Sequence, residues 1–282
     1  ANIFYYSRLP RVLASFLSGA ALAVSGAVLQ NVLSNKLASP SIIGVNAGAG
    51  FGVTLCCSLG ILSGWAVSAF AFGGSLLAVL MISLFASRTN ASKTTVILGG
   101  VALNSILSAF SESLSVLDND VAMLTTEFRV GGFSSISYTR LLPAAVMIVM
   151  SLIILFTLFN ELDVVALGDE TAKSVGLKAQ KYRIVFLILA ALLAGSAVSF
   201  TGLLGFVGLI VPHFVRWLTG NESRRLIPLS AVMGGGFVCL CDTLSRLLFM
   251  PYELPVGILM AIIGGPVFVM MLVRMKGGYK KC

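Results

Sequence analysis

The chain has 282 residues, of which 57% are hydrophobic and 11% charged, where a soluble globular domain carries about 25% charged residues. This excludes a water-solvated enzyme or binding module. The net charge of +8 does not point to nucleic acid either, because the basic residues flank apolar runs instead of forming a block.

The runs are apolar on every face, whereas barrel strands alternate, so the expected fold class is an all-α polytopic membrane bundle. A crossing takes about 20 helical residues. A short amphipathic stretch with Arg8 and Arg11 leads into a first span predicted over 12–33. The apolar run 37–87 is too long for one helix, and Gly60 to Gly64 mark its turn, giving spans at 41–60 and 64–86. Spans at 94–116 and 139–160 follow. The long connection after Asn160 contains a short helix over 166–177, with Asp169 and Glu170 in its first turn, Lys173 later and Gly176 closing it. The run 184–215 is broken by Gly202, Gly205, Gly208 and Pro212, which predicts a span to residue 201 and a short helix over 206–218. Spans over 226–249 and 256–275 complete nine expected crossings in one transmembrane domain, 1–282.

Of the 19 Lys and Arg residues, fourteen fall in one alternating set of connections, from Lys36, Arg88 and Lys93 to Arg274, Lys276, Lys280 and Lys281. Five fall in the other: Arg8, Arg11, Arg129, Arg140 and Arg246. The positive-inside bias therefore places the C-terminus in the cytoplasm and residue 1 outside. The five cysteines have no C-x-x-C spacing, and four lie in apolar runs, as packed or lipid-facing thiols do. His213 is the only histidine and cannot build a metal site by itself. No G-x-x-x-x-G-K-[ST] phosphate loop occurs, so ATP cannot be cradled in that way. The Gly202, Gly205 and Gly208 spacing suits close helix packing instead.

The chain reads Arg8-Leu-Pro-Arg11, Gly19 through Ser25-Gly26 to Gln30, Asn35-Lys-Leu-Ala-Ser-Pro40, Gly44-Val-Asn-Ala-Gly-Ala49 and Leu98-Gly-Gly-Val-Ala-Leu103. It continues with Leu167-Gly168, Val175-Gly-Leu177, Gly205-Phe-Val-Gly-Leu-Ile-Val-Pro-His213, Asp242 to Arg246, and Glu253-Leu-Pro-Val-Gly257. This ordered set resembles the FecCD family, the permease subunits of importers driven by ATP-binding-cassette (ABC) proteins that carry ferric siderophores, haem or cobalamin. The resemblance implies a ten-helix subunit, so one more helix is expected before Ala1. It implies a second permease subunit, two cytoplasmic ATPase subunits and an extracytoplasmic substrate-binding protein as partners, in the cytoplasmic membrane of a bacterium. The subunit itself would be no enzyme, with no cofactor and no metal.

The resemblance also implies residue roles. Arg8, Arg11 and Arg246 would receive carboxylates of the binding protein; the alternatives are a snorkelling interfacial pair for Arg8 and Arg11 and an i,i+4 ion pair with Asp242 for Arg246. Leu167, Gly168, Asp169, Glu170, Ala172, Val175, Gly176 and Leu177 would couple to the ATPase. Ser25, Gly26, Asn46, Gly48, Asn104 and Ser108 would line the pore, or else pack the spans. Asn35, Lys36 and Leu37 with Ser92, Lys93 and Thr94 would form inner gates, the lysines being inside-retention charges or lures for an anionic chelate. A ferric siderophore is the first expectation for the cargo, then haem or cobalamin. The alternative is a secondary, ion-coupled transporter, which usually places acids near the midplane.

Overall fold

The computed structural model describes residues 4–89, 91–134, 136–248 and 252–278. Lys280, Lys281 and Cys282 lie outside them. Within the described residues every regular element is helical. A π-helical turn, Phe4–Arg8, leads into α1 (Leu9–Val32), α2 (Val45–Ser58), α3 (Gly64–Thr89), α4 (Lys93–Leu117), α5 (Asn119–Val130) and α6 (Tyr138–Thr157). Then come α7 (Phe159–Leu167), α8 (Asp169–Ser174), α9 (Ala179–Thr201), α10 (Val207–Thr219), α11 (Ser223–Leu247) and α12 (Val256–Gly278). All nine predicted segments are helical. Six, namely α1 with its leading turn, α3, α4, α6, α9 and α11, are long and apolar enough to span a membrane by themselves, and α2, α10 and the Val256–Met271 stretch of α12 are shorter apolar segments.

The centre of the bundle is α1 and α9. Every residue of α1 from Ser18 to Val32 is buried, as is most of α9 beyond Phe186. Lipid offers no hydrophobic drive for helices to associate, so their contact depends on close packing through small side chains. The sequence supplies these at three crossings. Gly19 of α1 meets Gly234 of α11, Gly26 of α1 meets Gly208 of α10, and Gly48 of α2 meets Gly74 of α3; at each, an added Cβ would strike backbone of the facing helix.

Several polar groups buried between these helices are paired with one another. Arg216 of α10 donates to the side-chain oxygens of Gln30 and, at 2.8 Å, Asn31. Gln30 donates to the Gly208 carbonyl at 3.1 Å, and Asn31 to Ser223 Oγ at 3.1 Å. The Asp163 carboxylate of α7 accepts the Ser223 amide at 3.0 Å, satisfying a donor at the N-terminus of α11.

Three expectations change. The second span starts at Val45, not 41, because the chain turns repeatedly over 33–44, past Pro40 and a left-handed Gly44 (φ 95°). With 14 residues, α2 is only about 21 Å long, short of a full crossing. The single helix over 166–177 is instead two, α7 and α8, hinged at Gly168, whose φ of 118° suits glycine alone. The helix α5 was not anticipated. It packs under the break between α9 and α10, where the Phe128 carbonyl accepts from Leu203 N at 2.9 Å and Gly132 N donates to Thr201 O at 2.8 Å.

Candidate translocation and docking sites

The arginine end of α1 carries an ionic cluster. Pro10 sits in the first turn of α1, where its missing N–H costs nothing, and the preceding turn leaves Arg8 exposed. One turn on, Arg11 is directed inward. Its Nε and Nη2 donate to Asp242 of α11 at 2.9–3.1 Å, and its Nη1 donates to Glu253 at 2.9 Å. Asp242, whose side chain is 3% exposed, also pairs with Arg246 at 3.2 Å, the i,i+4 partner. All three guanidinium nitrogens of Arg11 are committed within the chain, so here it clasps α1 to α11 instead of offering a free fork. Arg8 is exposed, and Arg246, its side chain 36% exposed, is engaged by Asp242 through both Nε and Nη2.

Along α4 lies a cavity of about 410 Å3, lined by Ser41, Asn46, Asn104, Ser108, Glu112 and Arg129 among others. Asn46 Nδ2 donates to Ser41 Oγ at 2.9 Å, and Asn104 Nδ2 to the Ser41 carbonyl at 2.7 Å, while Asn104 Oδ1 has no partner. Three of the six predicted pore residues therefore come together. The other three do not. Ser25 is fully buried and donates to the Ala190 carbonyl at 2.7 Å, and Gly26 and Gly48 are spent on the glycine crossings. In this structure these three pack helices together and do not line that cavity. Glu112 and Arg129 were not anticipated as cavity residues. Glu112 ends the apolar run of α4, and the cap of Asp118, Arg129 in the last turn and Gly131 beyond it together mark α5.

At the opposite end of α1, the predicted gate loops meet. Lys93, the first residue of α4, donates to Ser34 Oγ at 2.6 Å, beside Asn35, whose Oδ1 accepts the Leu37 amide at 2.9 Å. Lys36 and Thr94 are exposed, and Ser92 caps α4 by accepting from Thr95 N. Next to these loops stands the elbow of α7 and α8. Leu167 and Val175 are 71% and 69% exposed on either side of it, whereas Ala172 is buried. Glu170 is exposed. The elbow is closed by Gly176 (φ 81°), with Leu177 N donating to Ala172 O at 2.8 Å and Gly176 N to Lys173 O at 3.0 Å. Asp169 accepts two bonds from Arg183 at 2.5 and 2.7 Å, and these hold its carboxyl below the ordinary value of 3.8. A basic groove of about 1000 Å3 with Lys173, Lys178 and Lys181 on its walls lies alongside. Among the described residues no group of three or more His, Cys, Asp or Glu is arranged to hold a metal ion.

The model of the FecCD transport family matches residues 1–274. The chain is 37% identical over 283 residues to the iron-uptake system permease FeuB of Bacillus subtilis, covering 98% of this chain and 83% of that one. It is 32% identical over 285 residues to the hemin transport system permease HmuU of Yersinia pestis, covering 98% and 84%. Among solved structures, a metal-chelate type ABC transporter in an inward-facing conformation superposes with a TM-score of 0.91 at 30% identity, over 97% of this chain and 88% of that one.

Proposed function

This chain belongs to the FecCD transport family, and from that membership we propose that it conducts a ferric siderophore into the cell as one of two permease subunits in an ATP-driven importer. A multi-pass ABC importer permease for iron chelates, haem or cobalamin is the common ground of its relatives. The finer choice of cargo follows the iron-uptake relative. The subunit is not itself catalytic; partner ATPases supply the energy.

The observation that carries this reading is the elbow. A helix of six residues, hinged at Gly168 and closed at Gly176, presents exposed Leu167 and Val175 beside the N-terminus of α4 and the 33–44 turns. Exposed apolar side chains on a charged loop suit a partner protein better than water. We assign Leu167, Gly168, Glu170, Val175, Gly176 and Leu177 to ATPase contact, with Asp169 and Ala172 holding the elbow to the bundle. Arg8 and Arg246 take carboxylates of the external binding protein, Arg11 positions Arg246 through their shared partner Asp242, and the C-terminus is cytoplasmic. Asn46, Asn104 and Ser108 meet the cargo. Small, weakly polar groups there let a large chelate leave as readily as it enters.

The test is reconstitution in proteoliposomes with the ATPase subunits and binding protein. Ferric-siderophore uptake should require hydrolysable ATP and be indifferent to an imposed ion gradient. Uptake driven by the gradient alone would instead establish a secondary transporter.

A further inference from the structure

The two gate loops are bonded to one another and to the elbow. Ser34 Oγ accepts from Lys93 Nζ at 2.6 Å and donates to the carbonyl of Ala166, the residue before last in α7, at 3.4 Å. One hydroxyl thus joins the 33–44 turns, the start of α4 and the near arm of the elbow. Across Gly168, the far arm is anchored separately. Asp169 is gripped by Arg183, whose side chain is 7% exposed and belongs to the central helix α9. Lys93 also acts on Asp169 through space, which adds to the effect of Arg183 on that carboxylate. Both arms are therefore rooted in the rigid centre, α8 through Arg183 and α7 through Asp163, and it is the end of α7 at Ala166 that is tied to both loops.

Ser34 also has an unusual backbone. Its φ of 46° lies in the left-handed region, which L side chains rarely adopt. Such a conformation persists only where its surroundings hold it, and a hydroxyl bonded on two sides is a means of doing so. A lysine that served merely to retain the loop inside the cell would need no such partner.

We propose that Ser34 and Lys93 are the positioning pair that carries movement of the elbow to the inner mouth. The inference rests on the reading of α7 and α8 as the ATPase contact. When the partner changes the angle at Gly168, both arms stay rooted in the core, so the displacement is taken up at the end of α7 and passes through Ala166 and Ser34 to the 33–37 turns and, through Lys93, to the start of α4. Both loops then move together. The pair acts on the geometry of the mouth and need not touch cargo.

The experiment reads the mouth directly and needs no cargo. In the complete importer in proteoliposomes, a reporter cysteine at exposed Lys36 (Lys36→Cys) is labelled with a soluble maleimide, without nucleotide and after trapping with ATP and vanadate, and corrected for the parent cysteines. The parent complex should show a nucleotide-dependent change in labelling rate of about fivefold or more, the lower end of ordinary coupling between sites. Ser34→Gly removes the hydroxyl while suiting the backbone φ, and Lys93→Met removes the donor. Each should abolish most of that change while ATP hydrolysis persists, and the double variant should lose no more than either alone, because both break one link. Lys93→Arg, which keeps a donor, should retain it. If Lys93→Met fails to assemble, Ser34→Gly decides alone. Parent-like gating in assembled Ser34→Gly would overturn the link while leaving the ATPase contact intact. No nucleotide-dependent change in the parent would overturn the ATPase contact, and the link with it.

Discussion

Arg8, Arg11 and Arg246 are equivalent in a charge count, yet the buried carboxylate of Asp242 separates their tasks. The i,i+4 spacing of Asp242 and Arg246 is visible in the sequence. The partnership of Arg11 with Asp242 spans 231 positions and that with Glu253 spans 242, so neither could be seen before the helices were packed. Breaking a charged pair at a partly buried interface costs about 2–5 kcal/mol. The variant Arg8→Glu with Arg246→Glu should therefore bind the external protein well over tenfold more weakly, measured by calorimetry on the reconstituted complex, and reversal of acids on the binding protein should recover part of the loss. Arg11→Ala should behave differently. It leaves Asp242 with Arg246 alone and should lower stability by about 2 kcal/mol, read as a reduced midpoint of thermal unfolding in detergent, whereas an unchanged midpoint would mean that the clasp contributes nothing. Arg183 was legible only as an inside charge, since its partner lies fourteen positions away on another helix. Because Arg183 depresses the Asp169 carboxyl, that contact contributes fully above the ordinary value of 3.8 and is lost as pH falls through the depressed one. Exchange protection of the α8 amides, corrected for intrinsic rates, should then be flat across neutral pH and collapse only in acid.

The long helices were legible because apolar length alone forces them, and Gly202 correctly ended α9, whereas Pro212, also expected to break the run, lies inside α10. Short helices were less so. The segment 166–177 has the composition of one helix, and only the φ of 118° at Gly168 reveals a hinge that residue type allows but does not demand. In α5, Asp118, Arg129 and Gly131 were readable as end signals, but an amphipathic helix of twelve residues carries no span-like run to draw attention. Small residues in α1 and α2 were ambiguous in principle, because a conducting surface and a tight crossing want the same side chains. The structure resolves them by what stands opposite. Gly26→Leu should prevent assembly, since its Cβ would meet the Gly208 carbonyl, whereas Gly73→Ala, with nothing within 4 Å, should assemble like the parent. Size-exclusion profiles and yields compare the two; a normal Gly26→Leu profile would mean that the crossing can open. At the elbow, Gly168→Leu demands a conformation costing about 1–3 kcal/mol and should lower cargo moved per ATP with the complex still formed.

Across the whole molecule, the most thoroughly covered helices are α1 and α9, and the least covered of the long ones is α4. Leu98, Val101, Ile106 and Phe110 on α4 are exposed, with the polar cavity of Asn46 and Asn104 alongside. Topology gives a direct check of orientation. A membrane-impermeant maleimide should label Leu62→Cys from the side opposite to Val175→Cys, and labelling of both from one side would end the inside–outside assignment made for the arginine end and the elbow. The glycine crossings have a further consequence. Where two helices touch backbone to backbone, no side chain is left between them to re-pack, and such a seam has no second arrangement of similar energy to switch into. The α1, α10 and α11 core, joined by such seams, should therefore travel as one solid piece. Probes placed within it should keep their separation through the whole transport cycle, while the distances that change are those between one subunit's core and its partner's, so that the working joint lies outside the best-packed part of the chain.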